Sequence, residues 1–193
     1  MFATVIRFSV AFCYDFAMTS KVMINIFGPP TAGKSTIAKM LREHVDRLYT
    51  VDFDVVKHQL AGYDWKRDKA LAEDITFDTL ISASKTGVPI VVLLPLQSQQ
   101  DAYERIASAA KNEGYELVNI EIRAPEEVLV SRYKDRLTNI EDPKIKEKMK
   151  NIEELKTYIR TPYFRPDNTT TFDSSHNTPD EIFAAIKELV GIL

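Results

Sequence analysis

Cysteine is almost missing from this chain of 193 residues: Cys13 is the only one. A single thiol cannot close an intrachain disulfide, and no Cys/His cluster with zinc spacing occurs, so neither a disulfide framework nor a structural zinc is implied and a reduced compartment fits. A dominant charge is missing too. Lys and Arg number 25 against 28 Asp and Glu, for a net charge of −3, which argues against a broad electrostatic footprint on nucleic acid while leaving a strand end as a possible ligand. Long hydrophobic runs are the third absence. Residues 1–20 are apolar and aromatic but carry Arg7 and Asp15, so no transmembrane helix is expected there. Asp15 also interrupts the stretch where a signal peptide would place its cleavage site. These residues read as an N-terminal extension, with translation beginning at Met18 or Met23. No repeat, low-complexity tract or Gly/Ser linker divides the rest, and 45% hydrophobic content suits one domain over 21–193.

What is present begins with Gly28-Pro29-Pro30-Thr31-Ala32-Gly33-Lys34-Ser35, directly after the apolar stretch Val22 to Phe27. The pattern is G-x-x-x-x-G-K-S, a phosphate-binding loop. Its glycines let the backbone curl so that N–H groups point at phosphate oxygens, and a helix opening at Lys34 adds its positive end. The expected nucleotide contacts are Gly28 through Thr36. Lys34 reaches the β- and γ-phosphates and the Ser35 hydroxyl takes a position on Mg²⁺, so ATP and Mg²⁺ are the cofactors called for.

Strand-like apolar runs recur at 22–27, 49–53, 89–94, 116–122 and 169–173. Between them lie helix-forming segments at 34–47, 66–86, 98–113, 125–160 with a break, and 179–192, the last opened by Thr178-Pro179-Asp180-Glu181 as N-cap, proline and acidic first turn. That alternation predicts an α/β fold: a single P-loop NTPase domain with a five-stranded parallel sheet and helices on both faces. In such sheets ligands sit at the carboxyl ends of the strands.

At the end of the second strand Asp52 and Asp54 stand two residues apart and point the same way if the strand persists. For Asp52 a helix cap and a chemical role stand equal. Further on, Arg132 and Arg136 are spaced i, i+4 on a proline-started helix and so share a face. Like charges at that spacing are unfavourable unless something anionic lies between them. The loop, an Asp after strand two and a later paired-arginine helix resemble the polynucleotide kinase, zeta toxin and gluconate kinase group of P-loop phosphotransferases, AAA-type small kinases. By that resemblance Asp54, nineteen residues beyond Ser35, is the general base, and Lys34, Arg132 and Arg136 complete the catalytic set, the arginines on a helical lid at about 130–160. The alternative for that pair is a solvated charged face. The resemblance also places Ser174 to Asn177 beside the adenine, although a helix-initiating turn explains the same letters. Lys57 falls where polynucleotide kinases often carry an arginine for acceptor phosphate. Arg123, at the end of strand four, is another candidate acceptor contact, Arg160 and Arg165 are candidates to face phosphate or acceptor that the spacing does not decide, and His44, His58 and His176 are given no catalytic work.

Strand three ends Leu93-Leu94-Pro95 without the acid that many P-loop ATPases place there, which disfavours a motor or AAA-type ATPase. A guanine-specificity motif is missing as well, and Gln97, Gln99 and Gln100 stand where nucleoside monophosphate kinases have an arginine. The leading expectation is a cytoplasmic kinase moving the γ-phosphate of ATP to a hydroxyl on a small molecule, a sugar nucleotide or a nucleic acid 5′ end, without a membrane partner. A slow nucleotide-dependent switch is the alternative from another class, and a zeta-type toxin shares the kinase chemistry.

Overall fold

The computed structural model describes residues 21–95, 100–139, 141 and 151–191. Its elements run β1 (Val22–Phe27), α1 (Lys34–His44), β2 (Tyr49–Asp52), α2 (Phe53–Gln59), α3 (Trp65–Ser84), β3 (Ile90–Leu93), α4 (Gln100–Glu113), β4 (Glu116–Arg123), α5 (Glu126–Thr138), α6 (Ile152–Arg160), β5 (Thr169–Asp173) and α7 (Pro179–Leu189). All strand pairings are parallel, in the order β2-β3-β1-β4-β5. The five strands and the single α/β domain predicted from the alternation are therefore found.

A strand that is buried on both faces must be apolar at successive positions. β1 and β3 meet this demand, with Val22, Met23, Ile24 and Ile26 and likewise Ile90 to Val92 wholly removed from solvent. On one face Ile24 and Ile26 pack with Ile37 and Leu41 of α1 and with Ile182 and Ile186 of α7. On the other, Met23, Val51 and Val92 pack with Phe77 and Leu80 of α3 and Ile106 of α4. Each such side chain contributes about 1.5–3 kcal/mol by burial. The chain leaves β1 on the α1 face and leaves β3 on the α4 face, so a crevice opens between the carboxyl ends of these neighbouring strands.

The start of α7 is built as its letters predict. Thr178 Oγ1 accepts from the Glu181 amide and the Glu181 carboxylate accepts from the Thr178 amide, with Pro179 in the first turn. That reciprocal cap satisfies two amides which a helix end otherwise leaves open.

The region after β2 departs from expectation. The strand ends at Asp52 because the Asp52 carboxylate accepts the Asp54 amide at 2.8 Å, the helix-cap alternative for this residue, and so starts a helix, α2, that the predicted helical segments did not include. Phe53, only 1% exposed, anchors that helix in the core. Asp52 and Asp54 are consequently a cap residue and a first-turn residue, not alternate positions of one strand. The predicted long helix with a break resolves into α5 and α6, joined across their faces by Arg160, which donates to both carboxylate oxygens of Glu126 at 2.8 and 2.6 Å. Residues 1–20, Gln97, Gln99 and most of the segment predicted as a moving lid connection, 138–150, lie outside the described residues.

Candidate active site

The loop after β1 is fixed by backbone demands. Gly28 has φ 131°, and a Cβ there would overlap the Ile122 carbonyl of β4, so no other residue fits without moving the strand. Gly33, at φ 105°, is the N-cap of α1, and its carbonyl accepts from the amides of Thr36 and Ile37 at 3.0 and 3.1 Å. Thr31 also adopts a left-handed conformation, at φ 62°. Its hydroxyl lies 2.6 Å from the Pro30 carbonyl and 2.8 Å from the Leu129 carbonyl of α5, which ties the loop to that helix.

Lys34 folds back over this loop. Its Nζ donates to the carbonyls of Gly28 and Pro29, both at 2.9 Å. Burial lowers its pKa to about 8, against the opposing pull of Asp54 and Asp52. An ammonium held this way is under-solvated, and a polyanion would stabilise it more than water does.

A cavity of about 360 Å³ opens above the loop, and it brings Lys34, Ser35, Asp52, Asp54, Lys57 and Arg136 together from α1, β2, α2 and α5. Within it Lys57 Nζ lies 2.7 Å from Asp54 Oδ1. Burial pushes the Asp52 carboxyl above its ordinary range, and the neighbouring Asp54 charge adds to this, against the amides of Asp54 and Val55.

The paired arginines border different cavities. Arg136 borders the first cavity, whereas Arg132 borders a second one of about 270 Å³ on the α1 and α7 side of the loop, with Gly33, Thr36, Ser174 and Asn177. Arg132 donates to Ser174 Oγ at 2.8 Å and to the Ser174 carbonyl at 2.7 Å. Thr31 borders both cavities. Residues i and i+4 are about 6 Å apart along a helix axis, and here that separation sets the two arginines beside different cavities.

Of the three undecided arginines, two pair with carboxylates through their side chains and Arg123 is held through its backbone. Arg160 is held by Glu126, Arg165 donates to Glu121 Oε2 at 3.1 Å and Thr171 Oγ1 at 2.9 Å, and the carbonyl of Arg123 accepts from the Ser174 amide at 2.8 Å. Gln100 donates to Glu104. What sequence reasoning missed is the far wall of the first cavity, where Trp65, Tyr133 and Tyr158 come from α3, α5 and α6. No linear spacing connects these three residues, and only Trp65, placed just after the Asp64 cap, carried a local signal of any kind.

Oxygen donors suit Mg²⁺, and the Ser35 hydroxyl with the Asp52 and Asp54 carboxylates offers them in one cavity. Among the described residues no group of three or more His, Cys, Asp and Glu could hold a metal, so the ion would depend on phosphate oxygens for the rest of its shell. No helix among the described residues is long and apolar enough to cross a membrane.

A parallel sheet in this order, with a phosphate loop after its central strand, is the fold of the P-loop kinases. The chain belongs to the AAA domain family AAA_33, whose model matches residues 23–162. Several solved kinases share the fold. The Mycobacterium tuberculosis APS kinase CysC, in complex with AMPPNP and APS, aligns with a TM-score of 0.61 and 19% identity over 88% of this chain and 97% of that one. A gluconokinase from Sinorhizobium meliloti 1021 aligns at 0.59 and 16% over 89% and 94%. The Deinococcus radiodurans tunicamycin resistance protein aligns at 0.57 and 18% over 89% and 97%. At these identities the likeness is one of fold. No curated protein matches the chain at a significant level. The match agrees with the resemblance to small AAA-type P-loop kinases drawn from the sequence.

Proposed function

We propose that the chain is an ATP-dependent phosphotransferase that moves the γ-phosphate to an alcohol. One observation carries this reading: a single cavity holds the loop lysine, the loop serine, a carboxylate suited to act as a base and a lid arginine, namely Lys34, Ser35, Asp54 and Arg136. The nucleotide would lie across the loop, with its base beside Ser174 and Asn177 in the second cavity and its γ-phosphate in the first. The APS kinase relative, solved with AMPPNP and APS, supports a nucleotide in this fold.

Phosphoryl transfer needs positioning and charge neutralisation more than covalent help. In the step proposed, the acceptor hydroxyl gives its proton to an Asp54 carboxylate oxygen as its oxygen forms a bond to the γ-phosphorus. The bond from that phosphorus to the β,γ-bridging oxygen breaks, and the diphosphate leaves with the electron pair. Lys34 leaves the loop carbonyls for the β- and γ-phosphate oxygens, and Arg136 stabilises charge spread over the transferred group. Mg²⁺, when bound at Ser35, would supply charge neutralisation between the β- and γ-phosphates. Asp52 caps α2 and thereby orients Asp54. A cytoplasmic location, the pool where ATP and a reduced Cys13 fit, belongs to the same proposal.

The test incubates the purified protein with ATP labelled in its γ-phosphate, Mg²⁺ and pooled alcohols, with Asp54→Asn alongside. Label on an alcohol that disappears in the variant supports the proposal. Label released only as inorganic phosphate, equally from both proteins, removes Asp54 as base and favours the switch.

A further inference from the structure

The first cavity is lined by two unlike sets of residues. One set of lining residues is charged or polar, with Lys34, Ser35, Asp52, Asp54, Lys57 and Arg136, and the other is apolar or aromatic, with Phe53, Leu94, Pro95, Trp65, Tyr133 and Tyr158. The apolar wall is assembled on purpose from distant elements: Trp65 stands in the first turn of α3 with its ring edge-on to Phe53, centroids 6.2 Å apart at 80°, while the two tyrosines come from both lid helices.

Charge at this site is already spoken for. Lys57 is bound to Asp54, and Lys69, whose ammonium lies 5.6 Å from the Trp65 ring, is tied to Glu73 at 3.2 Å. Lys34, Lys57 and Arg136 line the cavity together with Asp52 and Asp54, and a triphosphate with one divalent ion brings about two further negative charges. The loaded cavity is therefore net negative. A phosphorylated or carboxylated acceptor would enter it against repulsion, since the proposed transfer already uses Lys34 and Arg136, and Lys57 is paired with Asp54. A bare polyol would leave the faces of the three rings unused.

We infer that the acceptor is an uncharged alcohol carrying a flat ring, the ring lying against Trp65, Tyr133 and Tyr158 while its hydroxyl is presented to Asp54. This rests on the phosphotransferase reading above and deepens it. Aromatic rings gain from stacked or edge-to-face contact beyond the area they bury. A cavity of about 360 Å³ is also of small-ligand size.

Trp65 is the only tryptophan of the whole chain, so its fluorescence reports ring binding without any turnover. The full-length protein with AMPPNP and Mg²⁺ is titrated with uridine and p-nitrophenyl glucoside, and in parallel with uridine 5′-monophosphate and gluconate, to about 10 mM, tenfold above a weak Kd of about 1 mM. ADP formation from ATP is measured with the same four compounds. The expected result is a saturable change in emission with the neutral ring compounds and not with the anionic ones. Tyr158→Ser should weaken that binding roughly tenfold with an unchanged KM for ATP, and Tyr158→Phe should restore it. An emission change or turnover confined to the anionic pair overturns the assigned class while leaving the kinase reading intact. So does the absence of any change with both neutral compounds, or a Tyr158→Ser protein that binds them as the parent does. Binding of the neutral compounds without ADP from any acceptor keeps the ring site and sinks the phosphotransferase reading instead.

Discussion

Lys57 sits one helical turn beyond Asp54, with its ammonium 2.7 Å from the carboxylate the proposal uses as base. The base therefore arrives with its own counter-ion, supplied by the short helix that Asp52 caps. Half of the pair is well exposed, the Asp54 side chain at 65%, so its worth to stability is within about 1 kcal/mol. Its worth to chemistry is orientation. Asp54→Asn should lower kcat about a hundredfold to ten-thousandfold with ATP affinity nearly unchanged, whereas Lys57→Met should lower it by about tenfold, since the carboxylate remains but is no longer held in place. Thermal melts of the two variants within a few degrees of the parent, with the kinetic effects in that order, would agree with this; a larger loss in Lys57→Met would transfer the main role to the lysine.

Lys34 is a stability liability kept for function. Burial lowers its pKa from an ordinary 10.5 to about 8, so between those values the unfolded chain holds a proton that the folded one has released. Stability then climbs with pH through that window, and the cost is fully present below pH 8. The shift corresponds to up to about 3 kcal/mol, and the two hydrogen bonds to Gly28 and Pro29 return part of it. Lys34→Met should thus stabilise the nucleotide-free protein at pH 7 by about 1–3 kcal/mol and abolish ATP-dependent stabilisation. Denaturant unfolding at pH 7 and pH 10 tests both halves, since the advantage of the variant should shrink at the higher pH. An unstable variant at pH 7 would contradict the burial argument.

The split between Arg132 and Arg136 predicts different kinetic signatures. Arg132 is anchored to Ser174 beside the second cavity, so Arg132→Ala should raise the KM for ATP about tenfold by loosening the wall around the base, with a small change in kcat. Arg136 borders the reacting end, so Arg136→Ala should lower kcat about a hundredfold or more with the smaller change in KM. Identical behaviour of the two variants would show that the lid closes both arginines over one charge.

These contrasts mark where the sequence was legible. The loop could be read because one contiguous run fixes its backbone, glycines included, and the strands because burial on both faces of β1 and β3 allows almost nothing but apolar residues. α2 could not be read, since Val51-Asp52-Phe53-Asp54-Val55 alternates like a strand, and only the Asp52 side chain turning back to the Asp54 amide decides for a helix. Arg132 and Arg136 were placed on one helix face by spacing alone, but what each of them meets is set by the loop beneath and by Ser174 after β5. The aromatic wall of Trp65, Tyr133 and Tyr158 is a tertiary fact with no periodicity behind it.

Glu121 is the clearest case of a polar group hidden in an apolar strand. It is 5% exposed in β4, and burial alone would raise its pKa. Hydrogen bonds from Tyr163 at 2.5 Å, Thr171 at 2.7 Å and Arg165 at 3.1 Å outweigh that burial and hold the carboxyl below its ordinary 4.5. Burial raises the Tyr163 hydroxyl in turn, and its bond to the Glu121 carboxylate adds to this. A carboxylate with a depressed folded pKa adds stability that is present above the unfolded value and is lost as pH falls through the folded one. Glu121→Gln keeps the shape but loses the charge that these three donors share, so it should cost about 1–3 kcal/mol at pH 7. Glu121→Leu, which strands the Tyr163 and Thr171 hydroxyls against an apolar group, should cost more. In melts recorded from pH 7 downwards, the gap between the parent and Glu121→Gln should hold to about pH 4.5 and close below it, because the parent's carboxyl then protonates and the two side chains become nearly equivalent. A gap that stays constant to lower pH would mean that Glu121 acts through packing and not through its charge, and that the segment from Tyr163 to Arg165 is held against the sheet by the Phe27–Tyr163 and Tyr103–Phe164 ring contacts instead.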